Sequence, residues 1–323
     1  MTMNTAVSSG GSKQGVILSG AVREVYSREI MFQAQPLLVT AQFADQKTEL
    51  GRERGDTIKF TKYDDLRGNA KLSEVEPVPA THLSASQVAI QVDEYGFSVQ
   101  ESERLLRTAW DDVLGRATML LGQHYGRTVD AMVQDEYLAA GSLQTIVVGG
   151  GANRAALGAS NTLSVKAIKD AVEILAVNKA PKINGAYVCL LHPHQSRGLR
   201  DDPAWLDAHK YARPEEIFMG EIGMIEGVRF IETTHSRVIK AATGAVYRDS
   251  APTGATEAVF NATFDTYQAS LFGANAVGWA VGMPVELRDG GVIDMGRTRQ
   301  IGWLAIMGAG QIRPENVTTV ESV

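Results

Sequence analysis

The chain has 323 residues, room for two or three domains, and its 44% hydrophobic and 21% charged residues are the balance of an ordinary globular protein. A net charge of −6 argues against a general nucleic-acid or membrane-surface binder, although a protein that encloses DNA has no need to grip it. Cys189 is the single cysteine and no run approaches ~18 apolar residues, so neither an internal disulfide nor a membrane-spanning helix is expected.

Residues 1–20 are rich in Ser, Gly and Asn without periodicity, and read as an arm that a neighbouring chain would order. Residues 21–43 read as a helix with Val25, Phe32, Leu37 and Leu38 on its apolar side and an interruption at Pro36. Two period-two stretches follow. Ile58 and Phe60 alternate with Thr57, Lys59 and Thr61, and Val88, Ile90 and Val92 alternate with Gln87, Ala89 and Gln91, predicting two antiparallel strands. The long connection between them is of a kind that is often functional, and a two-stranded ribbon needs a partner surface on this chain or another.

Residues 102–141 are predicted to form a long helical spine, roughly 60 Å if unbroken. Leu106, Trp110, Val113, Ala117 and Leu120, then Val129, Met132, Val133 and Tyr137, supply its apolar stripe. Ser102 suits its N-cap and Gly141 a C′ position. Gly122 and Gly126 each cost about 1 kcal/mol against Ala, and mark either a bend or a close approach of another backbone. The alternative is two helices joined near Gly122. The stripe is too irregular for a coiled coil.

Beyond the spine, residues 162–178 form an amphipathic pattern with Val165, Ile168, Val172 and Leu175 inward, and residues 186–191 read as a buried central strand. Residues 192–214 are expected to be a charged loop, and Val228 and Phe230 to lie on a strand. Residues 285–293 and 298–309 predict two extended strands joined around residues 294–296.

Catalytic parts are scarce. His192 and His194 lie near Cys189, Asp201 and Asp202, but none of these spacings fits a zinc site on one element. His124 reads as a packed or wet helix histidine. Gly149, Gly150 and Gly151 follow a strand-like run without the G-x-G-x-x-G spacing, a P-loop lysine or the expected acidic residue. No catalytic residue, cofactor or metal site is expected. An arm, a ribbon, a spine and returning strands without chemistry make sense where neighbouring copies supply the missing core. The rivals are a cytoplasmic α/β enzyme in a small oligomer, with its core at residues 162–234, and another virion structural protein, such as a tail or portal-adjacent ring.

Taken in order, QPLLVTAQFAD, GDTIKFTKYDDLRG, the EYG at residues 94–96, HPHQSRGLRDDPAW at residues 192–205, the following KYARPEEIFMGEIGMIEGVRFIETT and QIGWLAIMGAGQIRPENV resemble the major capsid proteins of tailed bacteriophages, in particular the branch typified by coliphage N4. The resemblance implies an α+β fold of the Hong Kong 97 type. On it, residues 1–50 would be the N-terminal arm and helix, 51–100 the E-loop ribbon and 101–141 the P-domain spine. Residues 142–282 would be the A-domain, and 283–323 the returning P-domain strands and C-terminus. It further implies hexamers and pentamers of this chain in an icosahedral shell around double-stranded DNA, with no sequence-specific DNA binding and no membrane. A decoration or scaffolding protein and the portal are further partners on this reading, and the arm is expected to be too short for a cleaved scaffolding segment. The protein would be made in the bacterial host cytoplasm and reside in the virion. The charge density of the ribbon makes Arg52, Arg54, Asp64, Asp65 and Arg67 the expected inter-subunit ion-pair formers, while Lys62, Lys71 and Asn69 carry no assigned cross-linking role.

Overall fold

The computed structural model describes residues 20–48, 56–63, 82–108, 110, 112–151, 153–205, 223–241, 243–249, 251–257 and 263–323. In chain order the elements are α1 (Gly20–Ala34), β1 (Asp45–Lys47), β2 (Thr57–Tyr63), β3 (Ala85–Gln91), β4 (Asp93–Ser102), α2 (Glu103–Thr108) and α3 (Val113–Gly141). There follow β5 (Thr145–Val147), α4 (Val165–Val177), β6 (Tyr187–Leu191), α5 (Pro193–Arg200), β7 (Met224–Ile225), β8 (Val228–Glu232) and β9 (Val238–Ile239). The last are β10 (Ala245–Arg248), β11 (Ala251–Thr256), β12 (Thr266–Phe272), β13 (Val277–Ile293), β14 (Thr298–Gln311) and β15 (Val317–Ser322).

Among the described residues the strands make three sheets. The first has the order β1-β13-β14-β4, with the long β13–β14 hairpin at its centre. Alternation along β14 sends Ile301, Trp303, Ala305 and Met307 to one face, where α3 and α1 cover them, and Ile306 to the other. The helix-facing side is tied at Leu287, whose N–H donates to the Ser27 hydroxyl of α1 at 3.0 Å. The second sheet runs β11-β10-β9-β12-β6-β8-β7, with β15 beside β12 and β5 beside β15. As expected for the all-apolar run, β6 is central and buried throughout. One face of this sheet packs on α4 and α5. The other reaches the spine, where the Tyr137 and Phe272 rings stack at 4.1 Å, so the carboxyl half of α3 joins the two cores. The third sheet is the β2–β3 ribbon, in the antiparallel pairing that its alternation predicts.

The spine differs from its reading in three ways. Its interruption falls between α2 and α3 rather than at a glycine: Ser102 caps α2 by accepting from the Leu105 N–H at 3.2 Å, and Asp112 starts α3 by accepting from the Gly115 N–H at 3.1 Å. Gly122 and Gly126 lie on the buried face of an unbroken α3, where a Cβ would stand 3.0 Å from the carbonyl oxygens of Ile30 and Ala34. Both glycines exist for close approach to α1. Gly141 is no left-handed C′ residue; its φ is −65°, and Thr319 of β15 fills the space a side chain would need. The buried stripe therefore runs through Ala117, Leu121, Tyr125, Val129, Val133 and Tyr137, while Trp110 and Leu120 turn outward.

Three further segments differ. The supposed charged loop after β6 begins with α5, started by Pro193 at its first turn and by the His192 ring, whose Nδ1 accepts from the His194 N–H at 3.1 Å. Residues 93–102, which carry the EYG stretch and for which no strand was expected, are a full strand paired with β14. The polar C-terminus, residues 317–322, is the wholly buried β15. Its Glu321 accepts from Arg154 at 2.7 Å and from Gln268 at 2.8 Å, and Arg154 also pairs with Glu257.

Candidate assembly surfaces

The ribbon is rooted on its own chain. Ile58, Phe60, Ile90 and Val92 form a small core with Ala280, Ile306 and Ile312, on the side of the first sheet away from α3. They come so close because the sheet carries glycine beneath them. A Cβ on Gly278 would lie 2.9 Å from the Phe60 ring, one on Gly310 would lie 2.9 Å from Ile90, and one on Gly308 would overlap the Gln91 carbonyl oxygen. Polar ties hold the same root: Lys47 Nζ donates to the Lys59 carbonyl at 3.2 Å, Arg313 donates to the Tyr63 carbonyl at 2.6 Å, and Lys62 pairs with Glu315 at 2.6 Å. Lys62, one of the ribbon lysines left without a role, is thus engaged within its own chain. Arg52, Arg54, Asp64, Asp65 and Arg67, with Asn69 and Lys71, lie outside the described residues.

A second surface is the end of the β13–β14 hairpin. Asp294 and Met295 turn the chain with φ of 53° and 56°, the left-handed region that non-glycine residues enter at a cost. The turn leaves Met295 100% exposed, with Val292 and Ile293 part-exposed beside it. The Glu103 N–H donates to the Arg297 carbonyl at 2.8 Å, fixing α2 against this turn. Beyond α2, Trp110 is wholly exposed. Aromatic and unbranched apolar side chains displayed in this way are what protein contacts use as anchors. A third surface is a shallow groove of 530 Å³ on the open face of the first sheet, floored by Gly96, Gly290 and Gly302 and flanked by Glu94, Arg288 and Gln300.

The candidate chemistry is occupied with structure. Cys189 is buried on β6, and burial pushes its thiol up to about 12. His192 caps α5, and the His194 ring stacks on Tyr267 at 4.6 Å. Asp202 accepts from the Val165 N–H at 2.8 Å, so it caps α4 beside Ser164. His124 stacks on Phe97 at 4.3 Å, and burial holds its ring below the ordinary histidine value. Among the described residues no three His, Cys, Asp or Glu side chains gather as a metal site. No helix among them is long and apolar enough to cross a membrane.

The phage capsid protein family matches residues 122–321, well over half of the chain. The chain belongs to that family. Solved capsids share the fold of this capsid protein at low identity. The capsid of Ralstonia phage GP4 superposes with a TM-score of 0.64 at 18% identity, covering 87% of each chain. The capsid of cyanophage P-SCSP1u gives 0.62 at 17%, over 87% of this chain and 86% of that one. That of cyanophage Pam1 gives 0.62 at 14%, over 87% and 88%. No curated protein sequence matches the chain. The fold is of the Hong Kong 97 type, and the protein is a phage capsid protein, a structural component of the virion that works with copies of itself.

Sequence reasoning placed the hairpin turn but missed the glycine seat and the exposure of Met295 at that turn. The small-residue runs AVGWAVG and AIMGAGQ signal the seat. Trp110 was placed on the helix stripe, since aromatic residues at helical spacing read as core.

Proposed function

We propose that the chain assembles through hexamers and pentamers into an icosahedral shell that encloses a double-stranded DNA genome without reading its sequence. The single observation that carries this reading is the match of residues 122–321 to the phage capsid protein family; the wholly exposed Met295 on a left-handed hairpin turn offers a second copy an apolar anchor. The reading extends to the domain plan, with residues 51–100 as E-loop, 101–141 and 283–323 as P-domain and 142–282 as A-domain. It extends to synthesis in the host cytoplasm, and to the absence of any enzymatic role. Membership of the N4-like branch is supported by the ordered stretches from QPLLVTAQFAD to QIGWLAIMGAGQIRPENV. A decoration or scaffolding protein and the portal are the further partners.

Negative-stain electron microscopy of the protein expressed alone, beside light scattering, tests this reading. Shells, or capsomer rings that close as concentration rises, are expected. A uniform small oligomer under all conditions means either that assembly needs a scaffolding protein, which co-expression with one then tests, or, if no shells form with it either, that the reading is wrong. Met295→Asp should keep the thermal midpoint of the subunit and raise the concentration at which shells appear tenfold or more, since about 1.4 kcal/mol lost per contact is a factor of ten.

The ion-pair role of Arg52, Arg54, Asp64, Asp65 and Arg67 belongs to the same proposal. Each pair contributes about 0–1 kcal/mol alone, but repetition over every subunit fixes register. Deleting residues 64–76 should leave a folded subunit that no longer closes shells. Normal shells from that deletion would remove the ribbon charges from the account.

A further inference from the structure

One histidine joins the second sheet to the spine. His235 sits in the turn after β8, with Nδ1 2.6 Å from Asp249 Oδ2 and Nε2 3.0 Å from the Arg127 carbonyl oxygen of α3. A carbonyl oxygen can only accept. Burial pushes the Asp249 carboxyl up, but the Thr234 hydroxyl, 2.7 Å from Oδ1, the His235 ring and Arg127 outweigh it and hold the group below the usual carboxylate range. At neutral pH Asp249 is therefore also an acceptor only. Two acceptors facing two ring nitrogens are both satisfied by the imidazolium alone. A neutral ring makes one of the bonds and turns a lone pair toward the other oxygen.

The same side of the spine receives a second grip. Arg248, at the end of β10, donates to the Ala131 carbonyl at 2.9 Å and pairs with Asp135. Residues 127, 131 and 135 are one helical turn apart, so the sheet holds successive turns of one face. Asp249 and, from α3, Asp130 face the ring, Arg127 of α3 lies beside Asp249, and Arg248 at the end of β10 is set among Asp135, Asp130 and Arg237. The segment that covers Asp130 contributes Thr40 and Ala41, which carry no charge.

We propose that His235 is a proton-controlled clasp that ties the second sheet to the spine helix when doubly protonated and releases one of its two bonds when it loses a proton. Arg248 and the buried Tyr137–Phe272 contact still hold the sheet, so the release is confined to the turn at residues 233–239. The clasp belongs to the folded chain, so it is testable whether or not shells form.

The test uses the whole unassembled subunit. Nitrogen-15 NMR of the histidine rings between about pH 5 and about pH 9 reads the protonation state directly. Hydrogen exchange, corrected for its intrinsic pH dependence, reads the clasp at residues 233–239. The expected result is a doubly protonated His235 at the acidic end. Exchange at residues 233–239 should rise about tenfold as the ring deprotonates, the effect of losing one charge-assisted hydrogen bond, while β6 stays unchanged. His235→Gln and Asp249→Asn should both lose this dependence. A neutral His235 ring throughout, or the same pH dependence in His235→Gln, would overturn the proposal. Should His235→Gln fail to fold, the ring spectrum of the unaltered protein and the Asp249→Asn exchange profile decide it.

Discussion

Asp130→Ala is expected to cost the unassembled subunit about 3–5 kcal/mol, a large part of the stability of an ordinary domain. The carboxylate lies on α3 and is 1% exposed. Its Oδ1 accepts from the Thr40 N–H at 2.5 Å and the Ala41 N–H at 3.2 Å, and its Oδ2 from the Thr40 hydroxyl at 3.1 Å. Thr40 is itself fully buried, so alanine orphans donors that have no water to turn to, at about 1–3 kcal/mol each. Asp130→Asn keeps one oxygen for the two backbone donors and offers an amide to the Thr40 oxygen, so about 1–2 kcal/mol is expected from it. The pH dependence separates the two variants from the unaltered protein. Burial pushes the Asp130 carboxyl above its ordinary value, against the opposing pull of the Thr40 and Ala41 bonds and of His235. The folded chain then holds this proton more tightly than the unfolded chain does. The resulting stability is full below the ordinary carboxyl value and is lost as pH rises through the raised one. Urea midpoints across mildly acidic pH should therefore fall more steeply with rising pH in the unaltered protein than in Asp130→Asn. Equal midpoints for all three proteins would mean that this carboxylate does not hold the chain after α1 to the spine.

The parts of this fold that were legible in the sequence are those specified by neighbours in the chain. Ile58 and Phe60 alternate with polar residues whatever they later meet, Ser164 caps α4 from within its own turn, and residues 294–296 make a tight connection between strands that pair with each other. Where the partner is distant, the signal fades. β4 does alternate, with Tyr95 and Val99 turned toward the core, but its partner strand lies some two hundred residues later and its exposed face reads as a linker. β15 is buried with Glu321 and Ser322, because Arg154 and Gln268 supply partners to the first and Gln195 one to the second, none of which a hydropathy pattern announces. Gly122 and Gly126 show a finer limit. Helix propensity marks both as costly, yet cannot distinguish a bend from a contact. Their spacing of four, beside Leu121 and Tyr125, places them on the buried face and is the better guide.

The surfaces that matter for assembly were the least legible part. An exposed apolar residue and a core residue look alike in sequence, and only the fold shows that Met295 ends in solvent. The ribbon charges are visible as a dense run, and on the proposed reading what they meet belongs to another copy. The chain records both halves of such a contact in separate places and says nothing of their distance.

Gly308→Val is expected to abolish shells while leaving most of the subunit folded. Glycine is needed there because the Gln91 carbonyl occupies the place of a Cβ, and the Val92 Cα would lie only 3.2 Å from it. These are backbone atoms of the ribbon root, and no side-chain rotation relieves them. The strand must lift, and overpacking of this sort costs typically about 1–3 kcal/mol. The effect on assembly is larger because the ribbon is a lever. Gln91 pairs with Thr57 at one end of the strands and Tyr63 lies at the other, six steps of about 3.3 Å or about 20 Å away. A tilt of about 10° therefore displaces Tyr63 by about 3.5 Å, breaks its tie to Arg313 and moves everything the ribbon carries beyond it. No hydrogen bond or ion pair with a neighbour survives such a shift. Gly158→Ala is the control, since a Cβ there meets nothing within 4 Å. Urea unfolding should show a modest loss for Gly308→Val and none for Gly158→Ala, while electron microscopy should show shells only for the latter. Normal shells from Gly308→Val would mean that the angle of the ribbon root does not govern assembly, and the hairpin tip at Met295 would then stand alone as the contact that does.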